Sequence, residues 1–235
     1  MNAFFRIIFQ NPDFAVVSKL TEKSFHSESG PGFFSLLQNE FGAEKIYPVH
    51  RLDKITTGLI ITAKNPETAA ELGKMFENHE IGKYYIAVSD IPPVKSSGVI
   101  RGDMKKVRRG MWKLMKTAEN PAVTEFTGHE IKNGLFVFLI KLHTGRTHQI
   151  RAGLKSIGSP VLGDPMYYPK PKIRQTADRA YLHSYCLKFT FRDQNYIFTD
   201  YPQSGKIFTD EETGSQIKKL LEGFPADYFL MPESY

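Results

Sequence analysis

His50-Arg51-Leu52-Asp53-Lys54-Ile55-Thr56-Thr57-Gly58-Leu59 is the stretch on which the reading of this chain turns. One carboxylate stands among basic residues, just ahead of a Thr-Thr-Gly turn and the apolar run Leu59-Ile60-Ile61. A charge at the mouth of a buried strand is expensive unless it is paired or at work. Further along, Gly145-Arg146-Thr147-His148-Gln149-Ile150-Arg151 carries two arginines and a histidine into what reads as a helix start. Together the two stretches supply a lone carboxylate, a cation able to pair with it, and spare cations for a polyanion.

Local patterns around these stretches outline the fold. Residues 5–19 alternate between apolar and polar about Asn11-Pro12-Asp13, a β-hairpin pattern. Phe34, Leu37 and Phe41 are spaced for one face of a short helix over 32–41. Leu59 to Ala63 reads as a buried strand. Asn65-Pro66 then offers a cap and a first-turn proline for a helix whose inner face is Ala69, Leu72 and Phe76. Lys83 to Ser89 is a strand, and adjacent strand residues face opposite ways, so only one of Tyr84 and Tyr85 can enter a cleft. Leu135 to Leu142 is apolar on both faces apart from Lys141, as a central strand would be. Ile150, Leu154 and Ile157 predict a helix ending at Gly158. Residues 181–191 and 195–199 read as an antiparallel pair, and 216–221 as a last short helix. Strands joined by both hairpins and helices predict an α+β fold.

The 235 residues suffice for a substantial core. A formal charge of +6 favours a polyanionic partner. The single cysteine, Cys186, excludes an internal disulfide and a Cys-based zinc site, in keeping with a reducing cytosol. No apolar run approaches the roughly 18 residues of a membrane span, and the first residues do not resemble a signal peptide. The expectation is a cytoplasmic protein that acts as a monomer without membrane contact.

The two opening stretches resemble the signature motifs of the RluA-type pseudouridine synthases, which isomerise uridine to pseudouridine in RNA. The resemblance extends to residues 7–19, similar to that family's opening hairpin, to Lys83-Tyr84-Tyr85-Ile86-Ala87, similar to its Lys-x-Tyr-x-Ala strand, and to Arg179-Ala180-Tyr181-Leu182-His183-Ser184, similar to its closing Leu-His segment. It implies the pseudouridine synthase fold, a central, largely antiparallel sheet flanked by helices with a catalytic cleft, over residues 1–235 as a single catalytic domain, with no S4-like RNA-binding module ahead of it. Two departures stand out. Where the family often has Asn-Lys-Pro-Ala-Gly, this chain has Ser18-Lys19-Leu20-Thr21-Glu22, and Thr57 stands where Ser is usual.

By the resemblance, Asp53 is the catalytic carboxylate, Arg151 its ion-pair partner and Tyr85 the residue that stacks on the target base. Such a reaction uses no metal and no cofactor. The resemblance also implies that Arg51 fills the space left when a base leaves its stack, a step that costs a few kcal/mol. Arg146 and His148, at a helix start, suit phosphate contact. His50, Leu52, Leu182 and His183 are candidate pocket residues, with His183 equally readable as a satisfied core histidine. Between Lys95 and Lys116, eight cations face one acid, Asp103, interleaved with Trp112, Met111 and Met115. Lys105, Lys106, Arg108 and Arg109 are therefore expected to grip RNA. The rival reading is a non-catalytic RNA-binding protein on the same fold. A metal hydrolase built from His50, Asp53, His143 and His148 fails for want of a closed ligand set.

Overall fold

The computed structural model describes residues 4–26, 30–42, 46–168 and 177–224. The chain divides into two compact units, the first formed by residues 1–82 and 183–202, the second by 83–182 and 203–235. Elements are numbered along the chain.

In the first unit, β1 (Phe5–Gln10) and β2 (Phe14–Lys19) form the expected hairpin. The Asn11 side-chain oxygen accepts from the amides of Asp13 (3.0 Å) and Phe14 (2.8 Å), which closes the turn locally. Helix α1 (Phe33–Phe41) follows, then the short β3 (Tyr47–Pro48), β4 (Thr57–Ala63) and α2 (Pro66–Glu77). As the sequence predicts, Asn65 caps α2, its oxygen accepting from the Thr68 amide at 2.8 Å, with Pro66 in the first turn. The chain returns to this unit in β11 (Leu182–Phe191) and β12 (Gln194–Thr199), the antiparallel pair foreseen for that region.

These strands form one sheet in the order β1-β2-β4-β11-β12, with β3 beside β4. Every pairing among them is antiparallel except β4 with β11. At that parallel contact Thr57 pairs with His183 and Gly58 with Ser184. A Cβ on Gly58 would sit 2.3 Å from the Ser184 carbonyl oxygen, and its φ is +99°, so only glycine lets the strands close here. One face of the sheet buries Phe14, Val16, Leu59, Ile61, Leu187 and Phe189 with Leu72 of α2.

The second unit holds β5 (Gly82–Ser89), β6 (Ser97–Gly102), β7 (Met104–Lys106), β8 (Trp112–Leu114), β9 (Ala122–Ile131) and β10 (Leu135–Leu142). Its sheet runs β5-β10-β9-β6, antiparallel throughout, with β10 in the central place its two-faced apolar pattern predicts. The sequence did not reveal β9. Helix α3 (Gln149–Ser156) packs beside it, and α4 (Lys206–Thr209) leads into α5 (Glu211–Leu220). Helix α5 begins earlier than the sequence suggested because Asp210 caps it, accepting from the Glu212 and Thr213 amides.

The α+β fold is as expected. Among the described residues no helix is long and apolar enough to cross a membrane.

Candidate active site

Asp53 opens the turn that feeds β4, and the chain spends a buried lysine on holding that turn. Lys19, at the end of β2, is wholly buried, and its ammonium donates to the carbonyl oxygens of Asp53 (3.0 Å), Lys54 (2.8 Å) and Thr56 (3.0 Å). The Thr56 amide closes back on the Asp53 carbonyl at 3.1 Å. An ammonium carries three protons, and three backbone carbonyls lie within hydrogen-bonding distance of this one. The side chain of Asp53 is half-buried, Leu52 before it is buried, and Arg51 is exposed.

His50 has a structural task. Its Nε2 accepts from the Ile61 amide at 2.8 Å and its ring stacks on Phe76, 4.3 Å between centroids. Accepting through Nε2 places the proton of the neutral ring on Nδ1. His183 is 2% exposed, with Nδ1 2.7 Å from the Thr57 hydroxyl and Nε2 2.9 Å from the Asp200 carbonyl oxygen. The Asp200 carboxylate also accepts from Ser18 and Arg6. Burial alone would lift that carboxyl, but hydrogen bonds from His183 and Ser18 and the charge of Arg6 outweigh it and hold it below the ordinary carboxylate range. Leu182, next to His183, is buried.

In the second unit, strand register separates the two tyrosines. Tyr84 lies opposite Lys141 of β10 and packs edge-on against Phe224, whereas Tyr85 lies opposite Ile140. Lys83, Leu142 and Thr124 stand in register on the Tyr85 side of the sheet. Gln149 of α3 bonds to Thr124 there, so Tyr85 shares its face with α3. Lys83 is buried with its ammonium 3.4 Å from the Thr144 carbonyl, and burial pushes its pKa down to about 8.

The turn before α3 is locked by one amide. Gln149 accepts from the Arg146 amide (2.9 Å) and the Thr144 hydroxyl (2.8 Å), and donates to the Val123 carbonyl (3.0 Å) and the Thr124 hydroxyl (2.9 Å). Arg151 follows on α3, only 3% exposed. Its Nε and one terminal nitrogen grip Asp164 at 2.7 and 3.0 Å, and its guanidinium lies over the Tyr167 ring, 5.0 Å from the centroid. Asp164 is fixed in turn by the amides of Met166 and Tyr167. One edge of Arg151 is therefore committed to Asp164, a partner the sequence reading missed.

Lys105, Lys106, Arg108 and Arg109 lie on the exposed β7–β8 hairpin, where Lys105 is paired directly with Lys113. Asp103 sits at its base. The Thr117 hydroxyl and the amides of Asn120 and Glu119 hold its carboxyl below the ordinary range. Arg146 is exposed and bonds to Asn120 at the same base. His148 stands at the N-cap position of α3 in the left-handed region, φ +57°, with Nδ1 3.0 Å from the Tyr167 hydroxyl.

With this geometry in place, comparison with known proteins is decisive. Residues 16–156 match the family described as RNA pseudouridylate synthase. The chain belongs to that family. It is 39% identical over 216 residues to an uncharacterised RNA pseudouridine synthase of Haemophilus influenzae, covering 92% of this chain and 95% of that one. It is 32% identical to the ribosomal large subunit pseudouridine synthase D of Nitrosomonas europaea over 68% of this chain and 45% of that protein. The solved structure of human RNA pseudouridylate synthase domain containing 1 superposes with a TM-score of 0.68 at 22% identity, covering 84% of this chain and 83% of that one. The RluA-type resemblance read from the motifs is therefore correct, and the protein is an RNA pseudouridine synthase, an isomerase acting on uridine in RNA.

Sequence reasoning missed four residues that the synthase uses to hold its candidate site residues: Lys19, Gln149, Asp164 and Tyr167. Lys19 carried a signal, since it is the lysine retained where the surrounding loop departs from the family pattern. Gln149 lay inside a quoted motif. Asp164 and Tyr167 carried none, because Gly163-Asp164-Pro165 reads as an ordinary turn.

Proposed function

We propose that this synthase isomerises a specific uridine in structured RNA, ribosomal or transfer, with Asp53 as the catalytic carboxylate, Tyr85 stacking on the base, Arg151 as the ion-pair partner of Asp53 and Arg51 filling the vacated stack. The reaction breaks the bond from C1′ to N1, turns the uracil, forms the bond from C1′ to C5 and expels the C5 hydrogen as a proton, while N1 takes up one from solvent. A carboxylate can drive it by covalent capture or by proton removal. The observation that carries this reading is the Lys19 anchorage. A buried ammonium spent on three backbone carbonyls around Asp53 fixes the origin of that side chain, and positional precision is what a single-carboxylate mechanism needs.

The hairpin supports RNA as the partner. Like charges directly opposite on a two-stranded ribbon are destabilising, and the Lys105–Lys113 pair is relieved when phosphate lies across it. The name of the Nitrosomonas relative makes ribosomal RNA the first substrate to try.

The test is release of tritium from RNA labelled at uracil C5, prepared from cells lacking this protein and divided into ribosomal and transfer pools. Wild type should release tritium from one pool, and Asp53→Asn should release none while still binding that pool. Release by the Asp53→Asn protein would remove Asp53 from the catalytic role.

A further inference from the structure

Tyr167 is a side chain that the reaction does not call for, yet it joins three things. It is 1% exposed, in the turn after Asp164. Its hydroxyl accepts from the Trp112 amide on β8 at 2.6 Å. The same oxygen lies 3.0 Å from Nδ1 of His148. The phenol and the imidazole thus share one hydrogen bond, whose direction follows the tautomer of His148. The ring of Tyr167 meets the His148 ring edge-on and carries the Arg151 guanidinium on its face. Gly110, at the hairpin tip, lies near Met166, since a Cβ added there would stand 3.7 Å from the Met166 methyl. His148 keeps a left-handed backbone that a non-glycine residue adopts at a cost, and its bond to Tyr167 helps hold it there.

We propose that Tyr167 is a positioning residue that couples RNA engagement by the basic hairpin to the orientation of Arg151. The inference rests on the reading of the hairpin as the RNA grip and of Arg151 as part of the catalytic set. An aromatic ring is rigid, so a shift of β8 that moves the Trp112 amide moves the hydroxyl. The ring plane follows, and with it the cation stacked on it. Asp164 holds one edge of the guanidinium while Tyr167 sets its plane, so the arginine turns rather than slides. Small displacements of catalytic groups have large effects on rate, and such coupling is reciprocal: a well-seated Arg151 also favours the hairpin arrangement that binds RNA.

The experiment is a double-mutant cycle read by single-turnover tritium release from C5-labelled total RNA, with enzyme raised until the rate no longer depends on its concentration. The variants are Tyr167→Phe, the hairpin variant Lys105→Ala/Lys106→Ala/Arg108→Ala/Arg109→Ala, and their combination. Each alone should lower the saturated rate by roughly ten-fold, and the combination should be no slower than the slower of the two. A merely structural loss would not give this pattern, because independent lesions multiply.

Trp112 is the only tryptophan, so its emission reports both folding and the hairpin, and Tyr167→Phe should shift it in a protein that still melts cooperatively. If Tyr167→Phe does not fold, His148→Gly replaces it in the cycle, since it relieves the positive φ while removing one partner of the hydroxyl, and the same non-multiplicative result is expected. Multiplicative rates, or a hairpin variant that needs more enzyme yet reaches the wild-type rate, would overturn the coupling. A wild type that releases no tritium from any RNA would instead overturn the reading beneath it.

Discussion

Lys19 reaches the backbone of Asp53: its ammonium lies 3.0 Å from the Asp53 carbonyl oxygen, and it donates to the carbonyls of Lys54 and Thr56 as well. The turn is thus wound around a cation. An arrangement of this kind fixes the backbone from which the Asp53 side chain springs.

Lys19→Met keeps the length of the side chain and removes the charge. The carbonyls it served lose a buried donor, and the expected loss of stability is on the order of 3 kcal/mol. The saturated rate of tritium release should fall at least ten-fold, while RNA affinity changes little because Lys19 is wholly buried. Urea denaturation and filter binding separate these effects. An unchanged rate in a folded Lys19→Met protein would mean that the turn holds its shape without its cation.

Asp164→Asn leaves Arg151 with half of its grip. Removing one partner of a buried ion pair strands the other charge, a loss of about 3–5 kcal/mol. The residual protein should also turn over slowly, because the guanidinium is no longer fixed at its Nε edge. Chemical denaturation measures the first effect and single-turnover kinetics at low temperature the second. Full stability in this variant would show that Arg151 is held by its other contacts.

The elements legible in the sequence were those that declare themselves locally. The Asn11 turn, the Asn65 cap with Pro66, and the two-faced apolar β10 each follow from neighbours within a few residues. Strand β9 was not legible. It carries Glu125 and Gly128, and its strand state is imposed by β10 on one side and β6 on the other. The motif residues were found by resemblance, but their holders were not. Lys19 and Lys83 look like surface charges in the sequence, and only the fold shows that Lys19 donates to three backbone carbonyls and that Lys83 is buried beside one. Asp164 meets Arg151 across a turn whose path no periodicity reports.

Lys83 gives a pH-dependent stability with a definite sign. Burial pushes its pKa down to about 8 from 10.5, so the unfolded chain holds this proton more tightly than the folded one. Below about pH 8 both states are charged and folding bears the whole cost of burying the ammonium, roughly 3 kcal/mol. Between about 8 and 10.5 the folded protein sheds the proton and that cost shrinks. Lys83→Met should therefore be more stable than wild type at pH 7, by up to that amount, with the difference closing as pH rises towards 10. Urea midpoints across that range provide the check. A difference independent of pH would show that the ammonium is solvated in the folded state.

The basic hairpin should reveal itself in the salt dependence of RNA binding. Each phosphate neutralised contributes about 0.7–0.9 to the slope of log K against log salt. Lys105, Lys106, Arg108 and Arg109 are all exposed on the hairpin, so replacing the four with alanine should flatten that slope by up to about 3. Binding at low salt should weaken for every RNA tested, because backbone contacts carry no sequence information. Arg51→Ala offers the contrast, since a residue that fills a vacated stack should slow turnover more than it changes the slope. Titrations at several salt concentrations, scored by slope and not by a single dissociation constant, distinguish the two. An unchanged slope in the hairpin variant would mean that these cations face solvent and that the phosphate contacts lie elsewhere on the protein.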